Sequence, residues 1–217
     1  MSKAICKLFY RLVLCAECAY GLYVNIFGHQ GGFMNRNILR YFTIQSNILV
    51  LIITLIALGV SVRELCAGRA PRGAFYRGLR LVCATAITLT FCVFWLMLTG
   101  NNSGELLKSF ANLSVHGITP MLFVADFLLF DRTERMKARE ILLSVIAPTA
   151  YFVFSLIYAK AANPVPLYPY WFMDPTQIGW FGKGNQLGVA HWCAILIAFM
   201  LLLSLLYRKL YNRNLKA

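Results

Sequence analysis

Apolar residues fill six long runs of the chain, and short segments rich in charged residues, Pro or Gly separate these runs. At about 1.5 Å per residue, each run is long enough to cross a hydrocarbon core of roughly 30 Å. The pattern therefore predicts an all-α polytopic membrane protein, a six-transmembrane-helix bundle that occupies residues 1–217 as a single domain. The predicted spans are residues 10–28, 41–62, 79–98, 111–130, 141–160 and 186–207.

Positive charge alternates from one connecting segment to the next. Of the 21 lysines and arginines, all fall on the side of the two termini except Arg36, Arg40, Lys108, Lys160 and Lys183. The positive-inside rule then predicts that both termini are cytoplasmic. Because this topology accounts for the net charge of +13, we predict membrane lipids as partners and no nucleic acid. The sequence gives no indication of oligomeric state.

The connection over residues 161–185 differs from the others because it is rich in Pro, Gly and aromatic residues. Its four prolines exclude a continuous helix. Ordered loops of this length often cover functional sites. Aromatic residues next to spans also form belts at the membrane interface. The sequence is compatible with both roles.

Polar residues inside the spans are costly in a membrane and are therefore informative. They form two predicted layers. The outer layer contains Asn25, Thr43, Gln45, Ser46, Asn47, His116, Thr119 and His191. The inner layer contains Glu17 and Asp126, with Asp126 about 15 Å deeper than His116 along one helix. These buried acids have no assigned role: they either pair with nearby bases, become protonated, or mark a proton pathway.

A hydroxyl and an imidazole on neighbouring helices are the minimum set for nucleophilic acyl transfer. Thr43 and His116 suit these roles by residue type and by predicted depth. The imidazole would remove the hydroxyl proton, since its unperturbed pKa of about 6.5 suits a general base. The alternative is structural: intramembrane threonines often bond their own helix, and a single histidine is often a satisfied polar contact.

The rest of such a site is less defined by the sequence. Asp174 is a candidate for orienting the imidazole, by its side of the membrane only. Candidate pocket residues and oxyanion donors are backbone N–H groups and the side chains of Tyr41, Gln45, Asn47 and His191. Three histidines, His29, His116 and His191, share the outer side without metal-ligand spacing, so we predict no metal and no cofactor.

Three segments resemble one family. YFTIQSN at Tyr41–Asn47 looks like the start of the second helix in the androgen-induced protein family and its prokaryotic six-transmembrane relatives. HGITPMLFVADFLLFD at His116–Asp131 resembles the fourth helix of that family, and YPYWFMD at Tyr168–Asp174 resembles its loop motif. Trp171 stands where the loop motif has Pro, and the chain is closer to the prokaryotic branch.

The resemblance implies an activity. The eukaryotic members are threonine hydrolases that cleave fatty acid esters of hydroxy fatty acids within the membrane. Their nucleophile corresponds to Thr43 and their catalytic histidine to His116. The sequence thus predicts a hydrolase of lipid-like acyl esters in a bacterial cytoplasmic membrane, with a pocket between the second, fourth and sixth helices. One alternative is a lipid-binding or proton-coupled transport protein without covalent chemistry, and another is a structural membrane protein with no ligand.

Overall fold

A computed structural model describes residues 3–28, 34, 36–68, 73–100, 109–130, 134–161, 167–213 and 215. Within these ranges the chain is almost entirely helical and forms no strand, apart from one isolated bridge between Lys183 and Gln186. The all-α prediction is therefore confirmed. The long helices are α1 (Lys3–Phe27), α2 (Phe42–Ala67), α3 (Ala74–Leu98), α4 (Phe110–Phe130), α5 (Ala138–Ala161) and α6 (Val189–Asn212).

Five of these helices, α2 to α6, are long and apolar enough to cross a membrane. Helix α1 is equally long, but Lys7, Arg11 and Glu17 make it more polar. It begins at Lys3, whereas the sequence predicted a span from residue 10. Large apolar side chains such as Leu55, Leu202 and Leu206 are exposed on the outside of the helices, as expected where lipid is the solvent.

Helix α3 is central in the packing. It contacts α2, α4, α5 and α6, while α1 packs against α2 and α4. The main core combines buried side chains from α1, α2, α3, α4 and α6, among them Leu14, Val50, Leu81, Phe123 and Tyr207. A second apolar cluster joins Tyr151 of α5 to Phe172 and Met173 of the long loop.

The two ends of the bundle differ. The terminal end is where α1 begins and α6 finishes. The loop end is where α2 and α4 begin and where residues 167–188 lie between α5 and α6. In that loop, Trp171–Met173 forms one turn of 3₁₀ helix and Pro175–Ile178 a short helix. His29, part of the predicted histidine group, lies outside the described residues.

Two helices contain a π-helical turn near the loop end, at Phe94–Leu98 in α3 and Ser114–Ile118 in α4. The turn in α4 has a cause in the sequence. Pro120 has no N–H group, so the carbonyl of His116 four residues earlier loses its usual helical donor. Trp95 of α3 replaces that donor, with its indole Nε1 2.9 Å from the His116 oxygen. The two π turns are thus bonded to each other.

Candidate functional site

Thr43 and His116 lie next to each other near the loop end. The Thr43 Oγ1 atom is 3.1 Å from His116 Nε2, which is hydrogen-bonding distance. Thr43 is in the first turn of α2 and His116 is within the π turn of α4. Both residues are buried, with 9% and 8% of their surfaces exposed. The pair therefore joins two helices in a largely dehydrated position.

The second ring nitrogen of His116 determines which proton the imidazole carries. His116 Nδ1 is 3.1 Å from the backbone oxygen of Asn112. A carbonyl oxygen only accepts, so Nδ1 carries the hydrogen and Nε2 keeps its lone pair toward Thr43. The Thr43 hydroxyl then donates to Nε2, which is the arrangement of a hydroxyl facing a general base.

The group that orients the imidazole is thus a backbone carbonyl, and Asp174 does not have this role. Asp174 caps the short helix Pro175–Ile178 and accepts bonds from Thr176 N, Thr176 Oγ1 and Gln177 Nε2. The sequence suggests Asp174 only by its side of the membrane, whereas an acid directly before Pro is a favourable N-cap. Its carboxylate is already satisfied within the loop.

The ring of His116 is also held from its face. The Phe94 ring stacks on it with centroids 3.5 Å apart and planes 18° from parallel. Phe94 begins the π turn of α3. The next residue, Trp95, bonds the His116 carbonyl, so both the side chain and the backbone of His116 contact the same turn of α3.

Neighbouring side chains fix the backbone of Thr43. Its carbonyl oxygen accepts from Ser46 Oγ at 3.0 Å and from Asn47 Nδ2 at 2.8 Å. Asn47 Nδ2 also donates to the backbone oxygen of Val115, 3.0 Å away on α4. The side-chain N–H groups of Asn47 thus join α2 to α4 and are unavailable to stabilise an oxyanion.

The other candidate pocket residues are also placed. Gln45 Nε2 donates to the Leu39 carbonyl, which holds the short 3₁₀ turn before α2. Tyr41 precedes α2, and its ring is 5.9 Å from that of Tyr170. His191 is exposed in the first turn of α6 and does not line the cavity described below. Of these candidates, only Tyr41 lies close to the surroundings of Thr43.

Tyr170 completes the surroundings of Thr43. Its hydroxyl lies near the Thr43 side chain and the backbone N–H groups of Phe42 and Thr43, whose hydrogen-bonding influence favours negative charge on the phenol oxygen. These N–H groups are in the first turn of α2, where a helix has no internal acceptors for them. Burial raises the pKa of the Tyr170 phenol although these groups act to lower it, so the phenol keeps its proton at neutral pH.

An apolar cavity of about 240 Å³ opens beside Thr43. Its wall is formed by residues of α2, α3, α5, α6 and the long loop. Helix α4 does not contribute to this wall, which corrects the predicted pocket between the second, fourth and sixth helices: His116 reaches Thr43 from behind Phe94. Tyr170, Phe172 and Met173 bring the loop to the cavity, next to Trp192 of α6.

The two intramembrane acids are far from equivalent. Asp126 is fully buried between Arg11 and Arg80, with Arg11 Nε 2.9 Å from its Oδ1 atom. Pairing with bases is therefore its observed state. Glu17 instead accepts from Ser114 Oγ and Thr119 Oγ1, each at 2.6 Å.

The predicted depth of Glu17 was therefore wrong. Ser114 and Thr119 flank His116 on α4, which places Glu17 beside the loop-end polar layer. The error has a simple origin. Arg11 of α1 lies beside Asp126, so Glu17, six residues later, lies about 9 Å further toward the loop end.

Comparisons with models of known protein families, with curated proteins and with solved structures give no match for this chain. Among the described residues, no three His, Cys, Asp or Glu side chains come together as a metal site would require.

Three contributors to the site were not identified from the sequence. The Asn112 carbonyl has no signal in the sequence, because any residue supplies the same acceptor. Phe94 is one of many apolar residues in α3. Tyr170 did have a signal, since it lies within the YPYWFMD segment, although that segment alone does not indicate which of its aromatic residues reaches Thr43.

Proposed function

We propose that the protein is a membrane-embedded hydrolase of lipid-like acyl esters, with Thr43 as nucleophile and His116 as general base. The observation that carries the proposal is the chain of contacts from Thr43 Oγ1 through His116 Nε2 and Nδ1 to the Asn112 carbonyl. It has the order of a nucleophile, a base and an orienting acceptor. The resemblance of three segments to a family of threonine hydrolases agrees with this assignment.

Acylation follows from these positions. Thr43 Oγ1 attacks the ester carbonyl carbon while its proton moves to His116 Nε2, and the carbonyl oxygen becomes an oxyanion. Collapse of this intermediate breaks the bond to the alcohol oxygen, which takes the proton from Nε2. The product is an acyl ester of Thr43 and a free alcohol, and the Asn112 carbonyl stabilises the imidazolium formed in between.

Deacylation uses the same groups in reverse. A water molecule gives a proton to His116 Nε2 and attacks the acyl carbon. The second oxyanion collapses, the bond to Thr43 Oγ1 breaks, and Oγ1 regains the proton. The released product is a carboxylic acid, so one ester and one water yield one alcohol and one acid.

Tyr170 is the best-placed donor for the oxyanion. Its hydroxyl lies near the Thr43 side chain and near backbone N–H groups of the first turn of α2, which favour negative charge on the phenol oxygen. A phenol whose oxygen accepts hydrogen bonds is a stronger donor, since hydrogen bonds in a chain polarise one another. Negative charge is also favoured at the beginning of a helix. Both effects act where charge develops during the reaction.

The cavity supports an apolar acyl group as the substrate portion next to Thr43. Its lining is almost entirely aliphatic and aromatic, with Thr43 and Thr90 among its few hydroxyls. An acyl chain entering from the bilayer would remain in apolar surroundings throughout, so binding would require little desolvation of polar groups. Membrane lipids and a lipid-like ester are the partners that this environment favours.

We also propose that α1 is the sixth span and that both termini face the cytoplasm of a bacterial cell, with the loop end toward the outside. The asymmetry of Lys and Arg supports this orientation. The three charged residues that follow Lys3 in α1 do not prevent a span, because Lys7 and Arg11 are paired with Glu64 and Asp126, and Glu17 accepts two hydroxyls.

Labelling of purified protein in detergent with a fluorophosphonate probe tests the assignment. We expect labelling of wild type, none of Thr43→Ala, and at least a hundredfold slower labelling of His116→Ala, since both lose an essential step. Thr54→Ala is a matched control, because Thr54 is also a buried threonine of α2 but lies outside the cavity lining.

The outcomes separate the two functions. Labelling that persists in folded Thr43→Ala would refute the nucleophile. If wild type remained unlabelled and did not hydrolyse p-nitrophenyl octanoate, the same cavity would be left as a binding or transport site without covalent chemistry.

A further inference from the structure

Helix α1 presents a stripe of three residues, Glu17, Gly21 and Asn25, to the π turn of α4. Their spacing of four places them on one face of the helix. Glu17 bonds Ser114 and Thr119, and Asn25 Nδ2 donates to the Ala111 carbonyl at 2.8 Å. Asn25 thus contacts α4 before the turn that carries His116, and Gly21 approaches the first residue of that turn. Glu17 contacts both this first residue and the residue that follows the turn.

The contact made by Glu17 depends on the π geometry. In an α-helix, residues five apart point about 140° away from each other, since each residue turns the helix by about 100°. In the π turn, Thr119 N donates to Ser114 O, five residues back, so these two residues lie above one another. Only this arrangement lets both hydroxyls bind one carboxylate, each at 2.6 Å.

Gly21 allows the close approach that this contact requires. A Cβ atom at Gly21 would lie only 1.8 Å from Ser114 Oγ and 2.8 Å from Ser114 Cβ. Any side chain there would push the two helices apart and separate Glu17 from its partners. The small residue and the acid, one helical turn apart on α1, thus serve the same contact.

Donors from two other helices hold the opposite side of the turn. Asn47 of α2 bonds the Val115 carbonyl, and Trp95 of α3 bonds the His116 carbonyl. The carbonyl of Asn112 accepts from His116 itself. Backbone groups that a regular helix would pair internally are thus paired with side chains, and Glu17 supplies the acidic part of this frame.

We propose that Glu17 is a positioning residue that stabilises the π turn of α4 and thereby holds His116 Nε2 against Thr43 Oγ1, an inference that rests on the proposed hydrolase function. Glu17 is not part of the cavity lining, and its carboxylate bonds Ser114 and Thr119. It acts by keeping Ser114 and Thr119 aligned, because loss of that alignment favours an ordinary α-helical turn. Such a turn would rotate His116 and break its bond to the Asn112 carbonyl.

The experiment combines histidine NMR with kinetics in lipid nanodiscs. The chain has only 3 histidines, so protein labelled with ¹⁵N-histidine gives few ring signals, and His116→Ala assigns the one of interest. Wild type is expected to show a single His116 tautomer with the proton on Nδ1. In Glu17→Ala, the Nδ1-H form should lose its dominance.

The kinetic expectation concerns kcat. With p-nitrophenyl octanoate and active sites counted by fluorophosphonate labelling, Glu17→Ala should lower kcat by about tenfold to a hundredfold with little change in KM. A merely structural role would reduce the number of active sites and leave kcat per site unchanged. Glu17→Gln should lie between, since an amide keeps one acceptor oxygen.

A double-mutant cycle and a control complete the test. Ser114→Ala with Thr119→Val should reproduce the kcat loss of Glu17→Ala, and adding Glu17→Ala to that pair should cost little more. Glu64→Gln, which removes an acid at the terminal end, should leave kcat unchanged.

The two proposals can fail separately. If Glu17→Ala retained both the wild-type tautomer and wild-type kcat, the positioning role would be overturned. If wild type did not hydrolyse the ester, the hydrolase function would fail, while the tautomer change in Glu17→Ala would still decide whether Glu17 holds the turn.

Discussion

The two polar layers of the bundle stabilise their buried polar groups in different ways. At the terminal end, every member of a cluster of four bases contacts a carboxylate: Lys7 with Glu64, Arg11 and Arg80 with Asp126, and Arg77 with Glu134 and Glu140. At the loop end, the polar atoms around Thr43 are hydroxyls, amides, an imidazole and backbone carbonyls. One layer neutralises formal charge, and the other connects neutral groups around Thr43 in a directed chain, beside which the Glu17 carboxylate accepts from two hydroxyls.

This difference indicates what each layer can do. The ion pairs of Asp126 are completely enclosed, so neither a substrate nor water reaches them. Thr43 borders an apolar cavity, and its hydroxyl faces a nitrogen lone pair of His116. We therefore expect changes at the terminal end to affect mainly stability, and changes at the loop end to affect mainly the proposed chemistry.

The largest expected effect comes from breaking the terminal-end pairs. Asp126→Asn would leave Arg11 and Arg80 buried without their carboxylate, which costs about 3–5 kcal/mol. The midpoint of thermal unfolding should fall by roughly 6–20 °C. A thiol-reactive fluorogenic dye measures this transition, because Cys18 and Cys83 are buried and become accessible on unfolding. The fraction that remains folded should keep its kcat.

The control for this change is Glu134→Gln. Glu134 is 44% exposed, and its partner Arg77 keeps a second carboxylate in Glu140. Its loss should cost less than about 1 kcal/mol. A normal unfolding temperature in Asp126→Asn, together with loss of proton-linked uptake in vesicles, would instead support the transport alternative.

The second prediction concerns a substitution that raises helix propensity but is expected to lower the proposed activity. Pro120→Ala restores an N–H group that can bond the His116 carbonyl, so α4 can form a regular turn where the π turn now lies. Replacing a helical Pro is expected to preserve or raise stability. Nevertheless, kcat should fall at least about tenfold, because His116 would lose its alignment with Thr43.

Pro175→Ala is the matched proline control, since Pro175 begins the short loop helix away from His116. It should change neither kcat nor the histidine tautomer. Wild-type kcat in Pro120→Ala would mean that the π turn is not what aligns the imidazole, and that the Thr43–His116 contact survives in a regular helix.

The sequence allowed the helices to be predicted because lipid imposes a length and an apolar composition on every span. It also placed Thr43 and His116 at one depth, since depth follows from counting residues. It could not determine which helices are neighbours or how each is rotated. The predicted pocket accordingly lies between the second, fourth and sixth helices, whereas α3 and α5 form much of the observed wall and α4 none of it.

Local departures from regular helix were harder still to predict. The proline four residues after His116 explains why the carbonyl of that histidine accepts from Trp95, but a proline in the sequence does not show which side chain replaces the missing donor. Glu17 was assigned to the wrong layer because Lys7 and Arg11 were taken to precede the span or border it. In the structure, ion pairs with Glu64 and Asp126 allow both bases to lie within α1.

The smallest expected effect tests whether Asp174 serves only as a helix N-cap or also orients the imidazole of His116. Asp174→Ala removes the acceptor for Thr176 N at the beginning of the short loop helix, which should cost about 1 kcal/mol and lower the unfolding midpoint by about 2–4 °C. Asp174→Asn should restore most of that stability, because Asn is an equally good N-cap. Both variants should keep kcat within about twofold, since His116 Nδ1 donates to the Asn112 carbonyl and does not depend on this carboxylate. A kcat loss of a hundredfold or more in Asp174→Asn, with the fold intact, would transfer the orienting role from the α4 backbone to the loop.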